Sequence, residues 1–491
     1  MEQRIQNNKI EVFIPKHEQT QAEMFQEEFS ALEAGYKHNT RYRMGLWNGK
    51  HNFYTVQILA EGWLFKVEKG FMKRIENFTG QKFVVTKNYK RAINFLKDEI
   101  PKLPFKPYKH QIKMFTGLAS SKNHLGIAAT GSGKSLVIYL LLRFYRKHNL
   151  KILVLVPTID LVHQMKDDCD IYSAGHPLGP LSIQQIGGEF KNKEIKNDIV
   201  ISTYQSAIKA DLKGFDVIIN DETHLASADT IQEILRNPFK IKLGLTGSPP
   251  IDKLDAMKIE THYGMPEHYI NARKLIDLGL ATDLSVVAVF LNQKQKIMKY
   301  QDEVKFIKTD PLRRAWISKF LTKLKGLSIA LYNHTEHGTD TFYSVTGVKL
   351  KDAMSFEQQK ALGESGDGVF FLSGKTKPRI RKMILDYVKQ ADNTKNILII
   401  GQFKLLSTGI NIKALKNLVF LASTKSYTTV IQSIGRVLRL HETKNKAVVW
   451  DLIDNFSDHR KSENYALQHF YQRLQFYEYQ DFEIHEKEIN L

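Results

Sequence analysis

The chain has 491 residues, with 71 Lys and Arg against 52 Asp and Glu, so its formal net charge is +19. Hydrophobic and charged contents of 42% and 25% are typical of globular proteins and exclude wholesale disorder and collagen-like structure. A single cysteine, Cys169, excludes an intrachain disulfide and a thiolate zinc cluster. The length predicts about two to four domains. The charge favours a polyanionic partner such as nucleic acid, and the alternative is a basic surface that serves solubility.

No apolar run approaches the roughly 20 residues that cross a bilayer. The N-terminus also lacks the basic segment and apolar core of a secretory signal. We therefore expect no membrane association and a cytoplasmic protein.

The first block, residues 1–100, is predicted to be a small α+β domain that recognises the substrate. It ends where three prolines follow a helix-like stretch at 89–100. Residues 35–50 contain no acidic residue but four cations and three aromatics, namely Lys37, Arg41, Arg43, Lys50, Tyr36, Tyr42 and Trp47. Cations contact phosphates and aromatic faces stack on exposed bases, which makes Arg41, Arg43 and Trp47 candidate nucleic-acid contacts. The alternative is a solvated basic hairpin whose aromatics pack inward.

Residues 101–283 and 284–455 each alternate short apolar, β-branched runs with amphipathic stretches, which is typical of a doubly wound parallel α/β domain. The predicted strands are 125–129, 152–156, 199–202, 217–220, 241–245, 285–291, 327–332, 368–372, 397–400, 418–421 and 447–451. Residues 338–368 are long for a connection and are predicted to be an insertion. Residues 456–491 are predicted to be a helical extension.

Residues 128–135 read AATGSGKS between a predicted strand and a predicted helix, with the spacing of a phosphate-binding loop. The segment from Thr130 through Gly131 and Ser132 to Gly133 would turn backbone N–H groups onto phosphates. Lys134 would neutralise the β- and γ-phosphates, and the Ser135 hydroxyl would bind Mg²⁺. The loop predicts binding of a nucleoside triphosphate, ATP, together with Mg²⁺.

Asp221 and Glu222 directly follow the apolar strand at 217–220. One carboxylate for the metal and one for the attacking water is the minimum set for phosphoryl transfer to water. We therefore predict that Asp221 binds Mg²⁺ and that Glu222 orients the water. The next residue, Thr223, is not expected to take part in the chemistry.

Residues 432–439 read QSIGRVLR, which places Arg436 and Arg439 three residues apart on one face of a helical turn. An arginine that stabilises charge developing on a γ-phosphate accelerates hydrolysis by about 10³–10⁵. Both arginines are candidates for that role, and surface salt bridging is the alternative.

Eight elements, in this order, resemble the motifs of superfamily 2 helicases. They are Gln111, AATGSGKS, VPTIDLVHQ at 156–164, STYQ at 202–205, DETH at 221–224, LTGSP at 245–249, LSTGINI at 406–412 and QSIGRVLR. Within that superfamily the chain is similar to the UvsW-type recombination helicases of tailed phages, in RYRMGLWNG at 41–49 and WDLID at 450–454 as well.

The resemblance implies two tandem RecA-like domains in an ATP-dependent DNA helicase. It further implies that Gln111 reads adenine, while either Phe105 or Tyr108 stacks on that base. Residues that couple the nucleotide to the motor would be His224, Thr246, Gly409 and Gln432. Residues along the nucleic-acid path would be Pro157, Thr158, Thr203 and Thr408.

The activity implied is unwinding or branch migration of branched DNA by a monomeric motor that moves 3′→5′, with recombination or replication proteins as possible partners. Two enzyme alternatives are an RNA helicase and the motor subunit of a restriction-like complex. An alternative of another class is a nucleic-acid binding or annealing protein that ATP merely switches.

Overall fold

The computed structural model describes most of the chain, in two compact units. The described residues are 1–6, 9–84, 88–188, 194–248, 250, 252–295, 299–350, 354–363, 367–391, 395–403, 412, 414–422, 430, 433–435, 437–438, 440, 446–456 and 463–491. The first unit comprises 1–128 and 133–270, and the second comprises 271–491 with 129–132. No helix in these ranges is both long and apolar enough to cross a membrane.

The N-terminal block is an α+β structure, as predicted. Its strands and helices are β1 (Glu2–Gln6), β2 (Lys9–Pro15), α1 (Gln19–Glu28), β3 (Ser30–Leu32), α2 (Thr40–Arg43), β4 (Lys50–Asn52), β5 (Tyr54–Leu59), β6 (Gly62–Glu68) and α3 (Met72–Thr79). The strands form an antiparallel sheet in the order β1-β2-β6-β5 and a β3–β4 pair. Aromatic side chains from the sheet and its helices fill the core, among them Phe25, Phe29, Phe65 and Phe71.

A parallel α/β structure follows. Its elements are α4 (Tyr89–Glu99), α5 (Lys109–Ala119), β7 (Asn123–Ala128), α6 (Lys134–Arg146), β8 (Ile152–Val156), α7 (Ile159–Tyr172), β9 (Ile183–Ile186), β10 (Ile199–Thr203), α8 (Tyr204–Ala207), β11 (Val217–Asp221), α9 (Asp229–Leu235), β12 (Ile241–Thr246), α10 (Lys253–Tyr263) and β13 (Pro266–Ile270). The sheet order is β13-β7-β12-β11-β8-β10-β9, with every pairing parallel. Because helices cover both faces of such a sheet, strands such as ILVLV of β8 are buried along their whole length.

The N-terminal block shares its core with this α/β structure. Leu254 and Met257 of α10 belong to the same apolar cluster as the N-terminal phenylalanines. Arg74 of α3 forms an ion pair with buried Glu260 of α10, with Nη2 and Oε2 2.6 Å apart. A Cβ on Gly70 would lie 2.0 Å from the Glu260 carbonyl oxygen, so only glycine permits this approach. The N-terminal block is therefore packed rigidly against the helix that follows β12.

The second unit contains another parallel sheet. Its elements are α11 (Ala272–Asp277), β14 (Asp283–Asn292), α12 (Tyr300–Thr309), α13 (Pro311–Thr322), β15 (Ser328–Tyr332), α14 (Thr335–Thr346), α15 (Phe356–Lys360), β16 (Val369–Leu372), α16 (Pro378–Gln390), β17 (Leu398–Gln402), β18 (Asn417–Phe420), β19 (Lys446–Asn455), α17 (Tyr465–Tyr479) and β20 (Glu483–Asn490). The sheet order is β16-β17-β15-β18-β19-β14-β20, again with parallel pairings. The two parallel sheets and the small N-terminal structure confirm the predicted fold class.

Two local predictions were wrong. The first part of the predicted insertion at 338–368 belongs to α14, whose Phe342 is fully buried in the core of the second sheet. The tail beyond residue 455 contains α17 but ends in β20, which pairs with β14 over eight residues. β20 has the sequence EIHEKEIN and lies at a sheet edge, where most of its side chains are polar. The sequence therefore shows no apolar pattern that would predict a strand.

A buried ion pair joins α13 to β19 in the second unit. Arg313 Nε lies 2.6 Å from Asp454 Oδ1, and Nη2 lies 3.1 Å from Oδ2. Both side chains are 2% exposed, and Arg313 Nη2 also donates to the Leu421 carbonyl at 2.7 Å. Burial raises the pKa of Asp454, and the Arg313 charge opposes that rise. The carboxylate thus depends on Arg313 for its charge compensation.

We expect Arg313→Ala to lower the free energy of unfolding of the second unit by about 3–5 kcal/mol, because Asp454 would be left buried without its partner. Urea unfolding followed by fluorescence of Trp316 and Trp450 measures the change. The matched control is Arg314→Ala, which removes a pair with Asp340 whose members are both partly exposed, and should cost less than about 1 kcal/mol. Equal losses for the two variants would contradict the importance of the buried pair.

Candidate active site

The phosphate loop lies between β7 and α6. Gly131 and Gly133 have φ angles of 86° and 80°, in the left-handed region that glycine adopts without strain. Lys134 begins α6, and its Nζ donates to the Ala128 carbonyl at 3.2 Å. The backbone of residues 130–133 thus has the shape expected of an anion-binding turn ahead of a helix N-terminus.

Gln111 of α5 lies beside this loop. A Cβ on Gly133 would lie 2.1 Å from Gln111 Nε2, so any other residue at position 133 would clash with the Gln111 amide in its present position. Gln111 Oε1 accepts from the Tyr108 N–H at 2.8 Å, which fixes the orientation of the amide. Phe105 and Tyr108 are 43% and 51% exposed, so both retain a ring surface on which a base could stack. Adenine reading by Gln111 stays a prediction.

The two predicted catalytic carboxylates lie at the end of β11. Glu222 has φ 56° and ψ 49°, an unusual backbone conformation for a residue with a Cβ and one that concentrates at functional sites. Burial and the neighbouring Glu222 raise the pKa of Asp221, and burial raises the pKa of Glu222. The Lys134 charge lowers both pKa values, so the lysine is close enough to act electrostatically on the acidic pair. The structure thus brings Lys134, Asp221 and Glu222 together.

His224 and Thr246, both predicted to couple nucleotide to motor, are in direct contact. His224 Nδ1 lies 2.9 Å from Thr246 Oγ1, and Thr246 Oγ1 in turn lies 2.9 Å from the Ser248 carbonyl oxygen. Burial, with a smaller contribution from Lys134, lowers the pKa of His224 to about 4, so the ring is neutral at physiological pH. The carboxyl ends of β11 and β12 are thereby linked through one imidazole.

Sequence reasoning missed two residues that hold this region in place. The Thr223 hydroxyl is buried and lies 2.8 and 3.0 Å from the Asn220 and Leu245 carbonyl oxygens, which share its one hydrogen, so it ties β11 to β12. The Tyr204 hydroxyl donates to the Asp221 carbonyl at 2.9 Å. The polar threonine directly after the acidic pair was a signal for the first contact, but no local pattern indicated the second.

The donors present fit a Mg²⁺ ion. Mg²⁺ in nucleotide enzymes takes one or two carboxylates, substrate phosphates and waters, so a single aspartate and one hydroxyl suffice from the protein. Asp221 and Ser135 provide those hard oxygen donors, and the described residues contain no cluster of three or more His, Cys, Asp or Glu that suits a different metal site. Their roles as ligands remain predictions.

The predicted nucleic-acid contacts of this sheet lie at the carboxyl ends of its strands. Pro157 and Thr158 follow β8, and Thr203 ends the neighbouring strand β10, where it pairs with Val156. The Thr158 hydroxyl caps α7 by accepting from the Leu161 N–H at 3.4 Å. Thr203 is buried, whereas Gln205, two residues later, is exposed. The strands are parallel, so their carboxyl ends all lie at the same end of the sheet. These residues are therefore at the same end of the sheet as Asp221.

The basic, aromatic stretch of the N-terminal block forms the β3–β4 connection (residues 33–49). Arg41 and Arg43 are exposed, and Met44 and Leu46 are 66% and 65% exposed. Trp47 is half-buried and its indole N–H donates to the Lys50 carbonyl at 2.9 Å. The rings of Tyr36 and Tyr42 contact each other edge to face, with centroids 4.8 Å apart. The arginines thus face solvent, whereas part of the aromatic surface packs within the connection itself.

Five predicted site residues lie outside the described residues. They are Thr408, Gly409, Gln432, Arg436 and Arg439. Their roles stay predictions from the sequence.

Two family models match the chain. Residues 89–251 match "Type III restriction enzyme, res subunit", and residues 321–441 match "Helicase conserved C-terminal domain". The ATP-dependent DNA helicase uvsW of Enterobacteria phage T4 is 30% identical over 94% of this chain and 95% of its own length.

Two solved structures illustrate the likeness. The crystal structure of T4 UvsW is 26% identical, covers 96% of both chains and has a TM-score of 0.41. A fragment of a putative HsdR subunit of a type I restriction enzyme from Vibrio vulnificus is 18% identical over 94% of this chain and 84% of that chain, with a TM-score of 0.53. The second likeness shows the fold alone. The 30% identity to the phage helicase over 94% of the chain, together with the two family matches, shows that the chain belongs to the UvsW-type superfamily 2 helicases and is an ATP-hydrolysing helicase.

Proposed function

We propose that this helicase unwinds or branch-migrates branched DNA, such as forks, Holliday junctions and D-loops, during recombination, repair and replication restart. The observation that carries the proposal is the exposed pair Arg41 and Arg43 on a β3–β4 connection whose residues 35–49 contain no acid. Phosphate neutralisation supplies most of the affinity for DNA, and the nearby apolar and aromatic side chains suit the unstacked bases found at a branch point.

The N-terminal block can transmit its contacts to the motor because it shares a core with α10. In this proposal residues 1–100 recognise the branch, 101–283 bind ATP, 284–455 form the second helicase domain and 456–491 support it. The enzyme acts as a monomer that moves 3′→5′ in the cytoplasm of a bacterial host.

The proposed chemistry divides between the residues at the strand ends. Lys134 neutralises the β- and γ-phosphates, Ser135 and Asp221 hold Mg²⁺, and Glu222 orients the attacking water. Bound Mg²⁺ would supply charge neutralisation between the phosphates. Arg436 and Arg439 stabilise the developing charge, and Gln432 and His224 couple the outcome to the motor.

Branch migration suits such an enzyme energetically. Each step breaks and forms an equivalent base pair, although it unstacks roughly 1.4 kcal/mol of duplex. A motor is therefore needed for direction and for crossing barriers. Nucleotide can drive movement only through different affinities for two conformations of the enzyme.

The test is ATP turnover measured with single-stranded, duplex, forked and four-way DNA, with RNA as comparator. All are used at the same concentration of nucleic acid, counted in nucleotides. We expect forked and four-way DNA to stimulate hydrolysis most. Equal or stronger stimulation by RNA would favour an RNA helicase. Stimulation that does not distinguish branched from duplex DNA would contradict the branch specificity.

Replacing Arg41 and Arg43 by alanine should weaken binding of four-way DNA by at least about tenfold at low salt and reduce the slope of log Kd against log salt by about two. The reason is the loss of two phosphate contacts. Fluorescence anisotropy across a salt series measures both values.

The matched control replaces Lys73 and Lys82, which are exposed cations of the same block outside the β3–β4 connection. It removes the same charge and should leave the affinity within about twofold. Equal losses in both double variants would mean that net charge alone matters. Unchanged affinity of the arginine variant at low and high salt would remove the connection from the binding surface.

A further inference from the structure

Tyr172, the last residue of α7, contacts the phosphate-loop serine. Its hydroxyl lies 2.8 Å from Ser135 Oγ. The Tyr172 ring also contacts Phe105 and Tyr139 edge to face, with centroids 5.6 and 5.5 Å apart. Tyr172 is therefore held between the predicted metal ligand and one of the two rings that could stack on adenine.

The surroundings of Tyr172 are fixed by a buried polar network on α6 and α7. Arg143 Nε donates to the Tyr139 hydroxyl at 2.9 Å, and Arg143 Nη2 donates to Ser173 Oγ at 3.2 Å. Ser173 follows Tyr172 directly and its hydroxyl also donates to the Cys169 carbonyl at 2.8 Å. Because these contacts hold both the end of α7 and the ring beside it, the Tyr172 hydroxyl is presented to Ser135 at a defined position.

A serine hydroxyl has one hydrogen and two lone pairs. When a lone pair binds a cation, the hydrogen must point elsewhere and needs an acceptor, because a donor left without one costs free energy even at a half-buried position such as Ser135. The Tyr172 oxygen can accept that hydrogen from Ser135 at the observed distance. The lone pairs of Ser135 are then free for the metal.

We propose that Tyr172 is a positioning residue that orients the Ser135 hydroxyl for the Mg²⁺ of the bound nucleotide. The inference rests on the proposed role of the phosphate loop and extends it to a residue outside every motif in the sequence. Because Tyr172 acts through Ser135, we expect it to contribute to the affinity for the metal in the nucleotide complex.

The experiment uses Tyr172→Phe in the full chain, because phenylalanine keeps the ring contacts with Phe105 and Tyr139 and removes only the hydroxyl. Binding of a fluorescent ATP analogue is measured in EDTA and then across a Mg²⁺ titration. We expect the affinity in EDTA to stay within twofold of wild type. The increase in affinity that Mg²⁺ produces should fall about tenfold, the size expected when the Ser135 hydroxyl loses the acceptor for its hydrogen.

Two further variants separate orientation from general disturbance. Tyr139→Phe removes a hydroxyl from the same aromatic cluster that bonds Arg143 rather than Ser135, so its effect on the Mg²⁺ titration should be clearly smaller than that of Tyr172→Phe. Ser135→Ala should itself weaken the Mg²⁺ effect, and adding Tyr172→Phe to it should change nothing more, since the two side chains act as one unit.

A Mg²⁺ titration of Tyr172→Phe that matches wild type would overturn the inference. So would an equal effect of Tyr172→Phe with and without Ser135→Ala. If the wild-type chain failed to bind the nucleotide at all, the proposed phosphate loop itself would be wrong. Normal binding with unaltered Mg²⁺ dependence would contradict only the role of Tyr172.

Discussion

Lys134→Ala should reduce ATP hydrolysis by at least about 10²–10³-fold, in line with the loss of a preorganised charge that stabilises a transition state. Lys134 begins α6, and its charge lowers the pKa values of Asp221 and Glu222. Its removal leaves the phosphates without this neutralising charge. It also removes an effect that lowers the pKa values of two buried carboxyl groups, which shifts both toward their neutral forms. Turnover of ATP with saturating four-way DNA measures the effect.

The same variant distinguishes a motor from a protein that ATP merely switches. Unwinding should disappear together with DNA-stimulated hydrolysis, while annealing of complementary strands should persist, because annealing needs only DNA binding. Lys147→Ala, at the residue that follows α6, is the matched control and should keep turnover within about twofold, since Lys147 pairs with Asp98 on the surface and lies over the Phe95 ring. Unwinding retained by Lys134→Ala would defeat the motor assignment.

Glu222→Gln should lower the single-turnover rate of ATP cleavage by about 10²–10⁴-fold while leaving ATP binding intact. The glutamine keeps the size of the side chain but cannot accept a proton from the attacking water. Burial raises the pKa of Glu222, which means that the surroundings of this side chain penalise its charge, so a neutral glutamine should not disturb the fold. Rapid quench measurement of cleavage and equilibrium binding of labelled ATP give the two quantities separately.

Glu233→Gln is the matched control, because Glu233 lies exposed on α9 and the change removes the same charge. It should hydrolyse ATP like the wild type. The assignment of Glu222 would be contradicted by wild-type cleavage in Glu222→Gln. Loss of ATP binding in that variant would indicate instead that Glu222 supports the nucleotide or the backbone at its left-handed φ of 56°.

The sequence by itself determined the two parallel α/β sheets and the position of the phosphate loop and acidic pair in the chain. A buried parallel strand is a continuous apolar run and an anion-binding turn is one contiguous segment, so each can be recognised from neighbours in the chain. Strands β8 and β11 and the residues around Lys134 illustrate this. The polar strands β9, β13 and β20 were missed because each lies at a sheet edge and needs little apolar surface.

Only the tertiary structure decided which distant side chains meet. Strand β12 lies between β7 and β11, which allows His224 to contact Thr246 across 22 positions of sequence. The contact of Tyr172 with Ser135 and the shared core of α10 with the N-terminal block depend in the same way on how helices pack. Local periodicity reports which face of an element is buried, but not which element covers it, because that choice depends on packing between segments far apart in the chain.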